Sequence, residues 1–255
     1  MSFHDWLYSV YPENAVINGR FGALHIGVAL LCAALCVAIA LMGNRSRRTR
    51  YGIVLALALG IALFEVTRRV INLSRGWAGF WDLVYILIPR PWCAISCWMT
   101  MTAVFTRKRV LCNFCAMNGL LCALVFFAYP SVGFNHRVIL FENLYSIATH
   151  SLLLITSVSL MTLGFTDFRL ESGEIAVTGA LLAGVYGYAA AEILLKIEKD
   201  PLYFMPGNEV QAFLGVEYGP FLVIYAVFLT VFFSSFFLVQ KALDTKQGKP
   251  KLASL

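Results

Sequence analysis

YGIVLALALGIALFEVTRRVINL, residues 51–73, is the stretch that decides the architecture. It is apolar over most of its length and then carries Glu65, Arg68, Arg69 and Asn72 toward its far end. A run of this size crosses the ~30 Å hydrocarbon core of a bilayer at 1.5 Å per residue. In lipid it must be helical, because each backbone N–H and C=O needs a partner within the segment. A charge at mid-bilayer costs about 2.5–3.5 kcal/mol on insertion scales, so these polar residues are expected to face a protein interior or a water-filled cavity.

Six comparable runs flank it, at 22–42, 83–105, 111–129, 144–163, 174–196 and 219–240. The expected fold is all-α: a polytopic seven-helix transmembrane bundle, one domain over residues 1–255, with a basic tail at 241–255. Composition agrees, with 60% hydrophobic and 13% charged residues, about half the charge of a soluble domain. His4, Asp5, Glu13 and Arg20 in the first twenty residues, and a long first apolar run, do not fit a signal peptide. A net charge of +6 would suggest nucleic acid in a soluble protein. Here the basic residues sit beside the spans, and no nucleic-acid partner is expected.

Arg45, Arg47, Arg48 and Arg50 follow the first span, and Arg107, Lys108 and Arg109 the third. With Arg169 and the tail lysines Lys241, Lys246, Lys249 and Lys251, that side holds twelve of the twenty basic residues. The positive-inside rule then places the C-terminus in the cytoplasm and, with seven spans, the N-terminus outside.

That topology sets depths. His25 falls about 5 Å below the outer boundary, Glu65 about 12 Å, Cys93 about 9–15 Å and His150 about 9–10 Å. Glu65, Arg68, Arg69 and Asn72 recur at i, i+3, i+4, i+7, and Cys93, Cys97 and Thr100 at i, i+4, i+7. Each helix thus presents one polar stripe, as helices lining a shared cavity do. A structural reading stands beside this one. Glu65 with Arg68 or Arg69 reads equally as an intrahelical ion pair with snorkelling arginines. A transmembrane histidine such as His150 is often a hydrogen-bond partner between helices. Cys32, Cys36, Cys112, Cys115 and Cys122 read as small apolar packing residues. Cys112 and Cys115 have redox-motif spacing but neither a thioredoxin-like context nor a second pair for zinc. No cofactor and no metal site is expected.

Pro89-Arg90-Pro91 should break the third span, since proline removes a backbone donor and clashes with the preceding turn. The segment Asp200–Gly207 is too apolar for a free loop and reads as an interfacial cover with Tyr203 at headgroup level.

Four motifs resemble the bacterial YwaF-like membrane proteins and their eukaryotic relative, transmembrane protein 164. They are Phe21-Gly22-Ala23-Leu24-His25, Glu65 in the second span, the Asn118-Gly119-Leu120 run with Pro130 beyond it, and Phe141-Glu142 followed by His150. The eukaryotic relative moves fatty acyl chains between phospholipids with a cysteine of the third span. The resemblance implies that chemistry here, with Cys93 as nucleophile and His150 as general acid or base. His25, Glu65, Arg69, Arg90, Asn118 and Glu142 would line the substrate site, and membrane phospholipids would be the partners. Arg90 and Pro91 depart from the family pattern, which has a histidine near this cysteine. The departure keeps a second reading open: a non-catalytic ligand- or lipid-binding accessory subunit of a membrane transport complex, with other membrane proteins as partner subunits.

Overall fold

The computed structural model describes residues 2–8, 21–76, 79–89, 92–128, 133–134, 138–170, 173–194, 203 and 205–247. Among these the chain is all helix, without a strand. Ten helices follow in order: α1 (Phe3–Leu7), α2 (Ala23–Ala40), α3 (Arg47–Ser74), α4 (Phe80–Leu87), α5 (Trp92–Thr106), α6 (Arg109–Ala128), α7 (Phe141–Thr162), α8 (Gly173–Leu194), α9 (Glu209–Leu214) and α10 (Tyr218–Gln247). Five of them, α2, α6, α7, α8 and α10, are long and apolar enough to cross a membrane, and α5 is a shorter apolar helix. The chain is therefore a multi-pass membrane protein. At 28 residues, α3 would extend about 42 Å.

Local chemistry sets the helix ends. The hydroxyl of Ser46 accepts from the Thr49 N–H at 3.2 Å and starts α3 inside the arginine cluster, four residues before the apolar run. The expected break in the third apolar run is present. Ile88 is extended at ψ 130°, as a residue before proline is pushed to be, and α4 and α5 are separate helices. Arg90 and Pro91 lie outside the described residues. Between α5 and α6 the chain turns at Arg107, a non-glycine residue at φ 57°, whose guanidinium lies 4.0 Å from the centre of the Tyr51 ring.

α6 is the central helix. It packs against α5, α7 and α8, while α7 also packs against α2 and α3. In α6, 67% of the most apolar window is buried, against 6% in α10 and 11% in α2 and α8. Those three outer helices leave large apolar side chains exposed, such as Leu30, Val177 and Val231. Small residues let the inner helices approach closely. At Gly119 an added Cβ would come 2.6 Å from the Ser157 hydroxyl, and that hydroxyl donates to the Cys115 carbonyl at 3.1 Å.

The end of the bundle where α6 begins is tied by polar contacts. Asn113 of α6 and the backbone of Asp167 exchange two hydrogen bonds of 2.8 Å. Arg169 grips Asp244 of α10 with two bonds, at 2.7 and 2.9 Å. Phe232, Phe233 and Phe236 of α10 pack on the core.

Candidate functional site

The stripe of α3 that the spacing singled out meets α5 and α7 at a buried carboxylate. Glu65 is fully buried. One of its oxygens accepts from Arg69, a turn further along α3, and from the Trp98 indole N–H at 3.0 Å. The other accepts from the Tyr145 hydroxyl of α7. The guanidinium of Arg69 also lies over the Trp98 ring, 4.8 Å from its centre. Glu65 is thus the junction of three helices, and Arg69 neutralises it. The structural alternative for this stripe is the arrangement seen, with Arg69 rather than Arg68 as partner.

Cys93 sits in the first turn of α5, where its sulfur faces the N–H groups of Cys93 and Ala94. The charged groups acting on it are Arg68 and Glu65, of opposite sign. Cys93 packs against the buried cluster that includes Ile61, Cys97, Leu121, Cys122 and Leu153. All seven cysteines are free thiols, and Cys93 and Cys36 are the two that are not fully buried. Cys112 and Cys115 are buried in the core cluster around α6.

His150 lies on α7, five residues beyond Tyr145, and within the electrostatic reach of Glu65. Its Nδ1 is 2.8 Å from the Ser146 carbonyl. A carbonyl can only accept, so Nδ1 carries the proton, and in the neutral ring Nε2 holds the free lone pair. The ring stacks on Phe126 of α6, with centres 4.2 Å apart. Phe126 touches Phe134 at 5.7 Å, and Phe134 touches His25 at 4.6 Å. An aromatic line therefore connects the two histidines. His25 itself is buried and its Nδ1 accepts from the Phe21 N–H at 3.2 Å, closing the first turn of α2.

The remaining expected residues divide. Asn118 is buried, and its amide nitrogen donates to Ser96, which in turn contacts the Cys122 sulfur at 3.3 Å. The Asn118 carbonyl oxygen is buried without a partner among the described residues. What Asn118 has to spare toward a substrate is thus an acceptor. Glu142 lies at the rim, 42% exposed and 3.3 Å from Arg75. Arg90 is outside the described residues. Trp98 and Tyr145 hold the junction together and carry no signal in the sequence beyond being aromatic. Among the described residues no group of three or more His, Cys, Asp or Glu is placed to hold a metal ion.

An all-helical bundle with apolar outer helices around a buried glutamate junction defines a class: a multi-pass membrane protein with a polar centre. The model of the TMEM164 family matches residues 20–240, nearly the whole chain, and the chain belongs to that family. No curated protein and no solved structure matches it.

Proposed function

We propose that the chain is a lipid acyltransferase of the cell membrane, moving a fatty acyl chain between phospholipids from a site in the outer half of the bundle. The observation that supports the reading is that a thiol, Cys93, and an imidazole, His150, each lie within the electrostatic reach of the buried Glu65. In this reading α3 and the broken α4–α5 pair add two crossings to the five long apolar helices. Seven spans then put the N-terminus outside and the basic tail in the cytoplasm.

The chemistry would run in two steps. The Cys93 sulfur attacks the ester carbonyl of a donor phospholipid, and its proton passes to His150 Nε2. The ester C–O bond breaks, the leaving lysophospholipid oxygen takes that proton, and the acyl chain stays on Cys93 as a thioester. The hydroxyl of an acceptor lysophospholipid then attacks the thioester. His150 takes the hydroxyl proton and the thiol leaves protonated. The first-turn N–H groups of α5 are oriented to stabilise negative charge as it develops near Cys93.

One observation favours the accessory-subunit alternative. Glu65 is saturated by Arg69, Trp98 and Tyr145, so it does not orient His150 as an acidic partner would. The decisive assay gives purified protein a labelled phospholipid and an unlabelled lysophospholipid. Wild type should transfer the label, Cys93→Ser should lose at least about a hundredfold in rate, as loss of a nucleophile does, and both should retain bound lipid. Equal transfer by the two proteins would remove Cys93 as the nucleophile, and lipid bound without transfer by wild type would assign the site to binding alone.

A further inference from the structure

At the Glu65 end of the bundle one described arginine has no described carboxylate of its own. Glu65 is taken by Arg69, and Glu142 by Arg75 at 3.3 Å. Arg68 is left over. Its guanidinium lies flat over the Tyr145 ring, 4.7 Å from the centre. Its Nε is buried and has no acceptor among the described residues. Glu65, Glu142 and Cys93 lie within its field. Yet no described carboxylate pairs with it directly, since the two nearby already hold other arginines. A half-buried guanidinium with an unfilled Nε has a strong preference for an anion, and its planar fork matches two oxygens of a phosphate.

The surroundings indicate how that anion arrives. Arg68 lies six residues before the end of α3 at Ser74, about 9 Å along the helix axis, with Arg75 and the rim residue Glu142 beyond it. An anion entering from that end of a bundle in lipid is a headgroup phosphate or a free anion, and the phospholipid substrate proposed above supplies the former.

We infer that Arg68, held flat by Tyr145, is the anchor for the phosphate of a phospholipid headgroup, and that it sets the bound lipid's position relative to Cys93. Arg69 and Glu65 brace the junction and do not contact the lipid. The inference deepens the reading above and rests on its lipid-binding part, not on acyl transfer.

The test is lipid retention by the detergent-purified full chain, measured by native mass spectrometry. The probes are dioleoylphosphatidylglycerol and dioleoylglycerol, which share their acyl chains and differ in the phosphate-bearing headgroup. Wild type should prefer the phospholipid by about tenfold or more, the factor one charge-assisted contact supplies. Arg68→Gln should erase that preference, and Arg68→Lys, which keeps the charge but loses the fork, should retain part of it. A preference unchanged in Arg68→Gln overturns the assignment. If Arg68→Gln does not fold, the wild-type comparison decides alone, since equal retention of the two lipids also overturns it. Inorganic phosphate at millimolar concentration should leave the phospholipid bound. Phosphate that displaces the lipid and is itself retained only when Arg68 is present would make this a free-phosphate site and overturn the headgroup assignment. Because the readout is binding, an Arg68-dependent preference without any transfer would separate failure of the enzyme reading from failure of this one.

Discussion

Glu65 holds its three donors at one point, and replacing it tests how much the bundle depends on that point. Glu65→Gln keeps the volume but leaves Arg69 without its counter-charge in a buried place. Removing one partner of such a pair costs about 3–5 kcal/mol, so thermal unfolding in detergent should show a large drop. Tyr145→Phe removes a single donor and keeps the ring under Arg68, and should cost about 1–3 kcal/mol. A Glu65→Leu, Arg69→Leu double variant should recover much of the loss, because neither member of the pair is left without the other. Near-additive losses in the double variant would show that the pair is not the unit. The spacing of Glu65 and Arg69 made their pairing readable in the sequence. It could not separate Arg69 from Arg68, because one residue along a helix turns the side chain by about 100° and only the packed neighbours decide which face is which. Trp98 and Tyr145 were illegible for a different reason. An aromatic residue in an apolar run looks the same whether its N–H or O–H meets lipid headgroups or a buried carboxylate.

The helices themselves were largely legible, because apolar length and proline chemistry act locally. The interruption between α4 and α5 follows from Pro89 and Pro91 alone. The four-residue extension of α3 into the arginine cluster depends on Ser46, a cap rather than part of an apolar run. The small helices α1 and α9 are too short to leave a periodic signature, and half of the cover expected over residues 200–207 falls outside the described residues. The contact between α6 and α7 gives the test that belongs at this scale. Gly119→Ala puts a methyl group where the Ser157 hydroxyl now sits and should push it off the Cys115 carbonyl. Overpacking of this kind costs about 1–3 kcal/mol, and Ser157→Ala in the same chain should return part of it. An unchanged unfolding temperature in Gly119→Ala would mean that the two helices separate more easily than their packing implies.

For the molecule as a whole, the distribution of basic residues and the order of helices must give the same orientation. A reporter fused after Leu255 should be active only in the cytoplasm, and one fused before Met1 only outside it. Both reporters on one side would require α3 or α5 to stay out of the membrane. In the expected orientation the two polar ties would belong to opposite faces: Arg169–Asp244 on the side of the basic loops, and the glutamate junction on the other.

The long sequence separations within these ties impose an order on biosynthesis. Glu65 is made 33 residues before Trp98 and 80 residues before Tyr145, while Asn113 is made 54 residues before Asp167. At about 5–20 residues per second of translation, α3 exists for several seconds with part of its carboxylate unanswered, and α6 for a few seconds with a bare amide. Neither helix can settle in lipid on its own terms during that interval. A nascent chain stopped before Tyr145 should therefore remain beside the insertion machinery or be degraded, whereas one stopped after Phe168 has every partner it needs to leave.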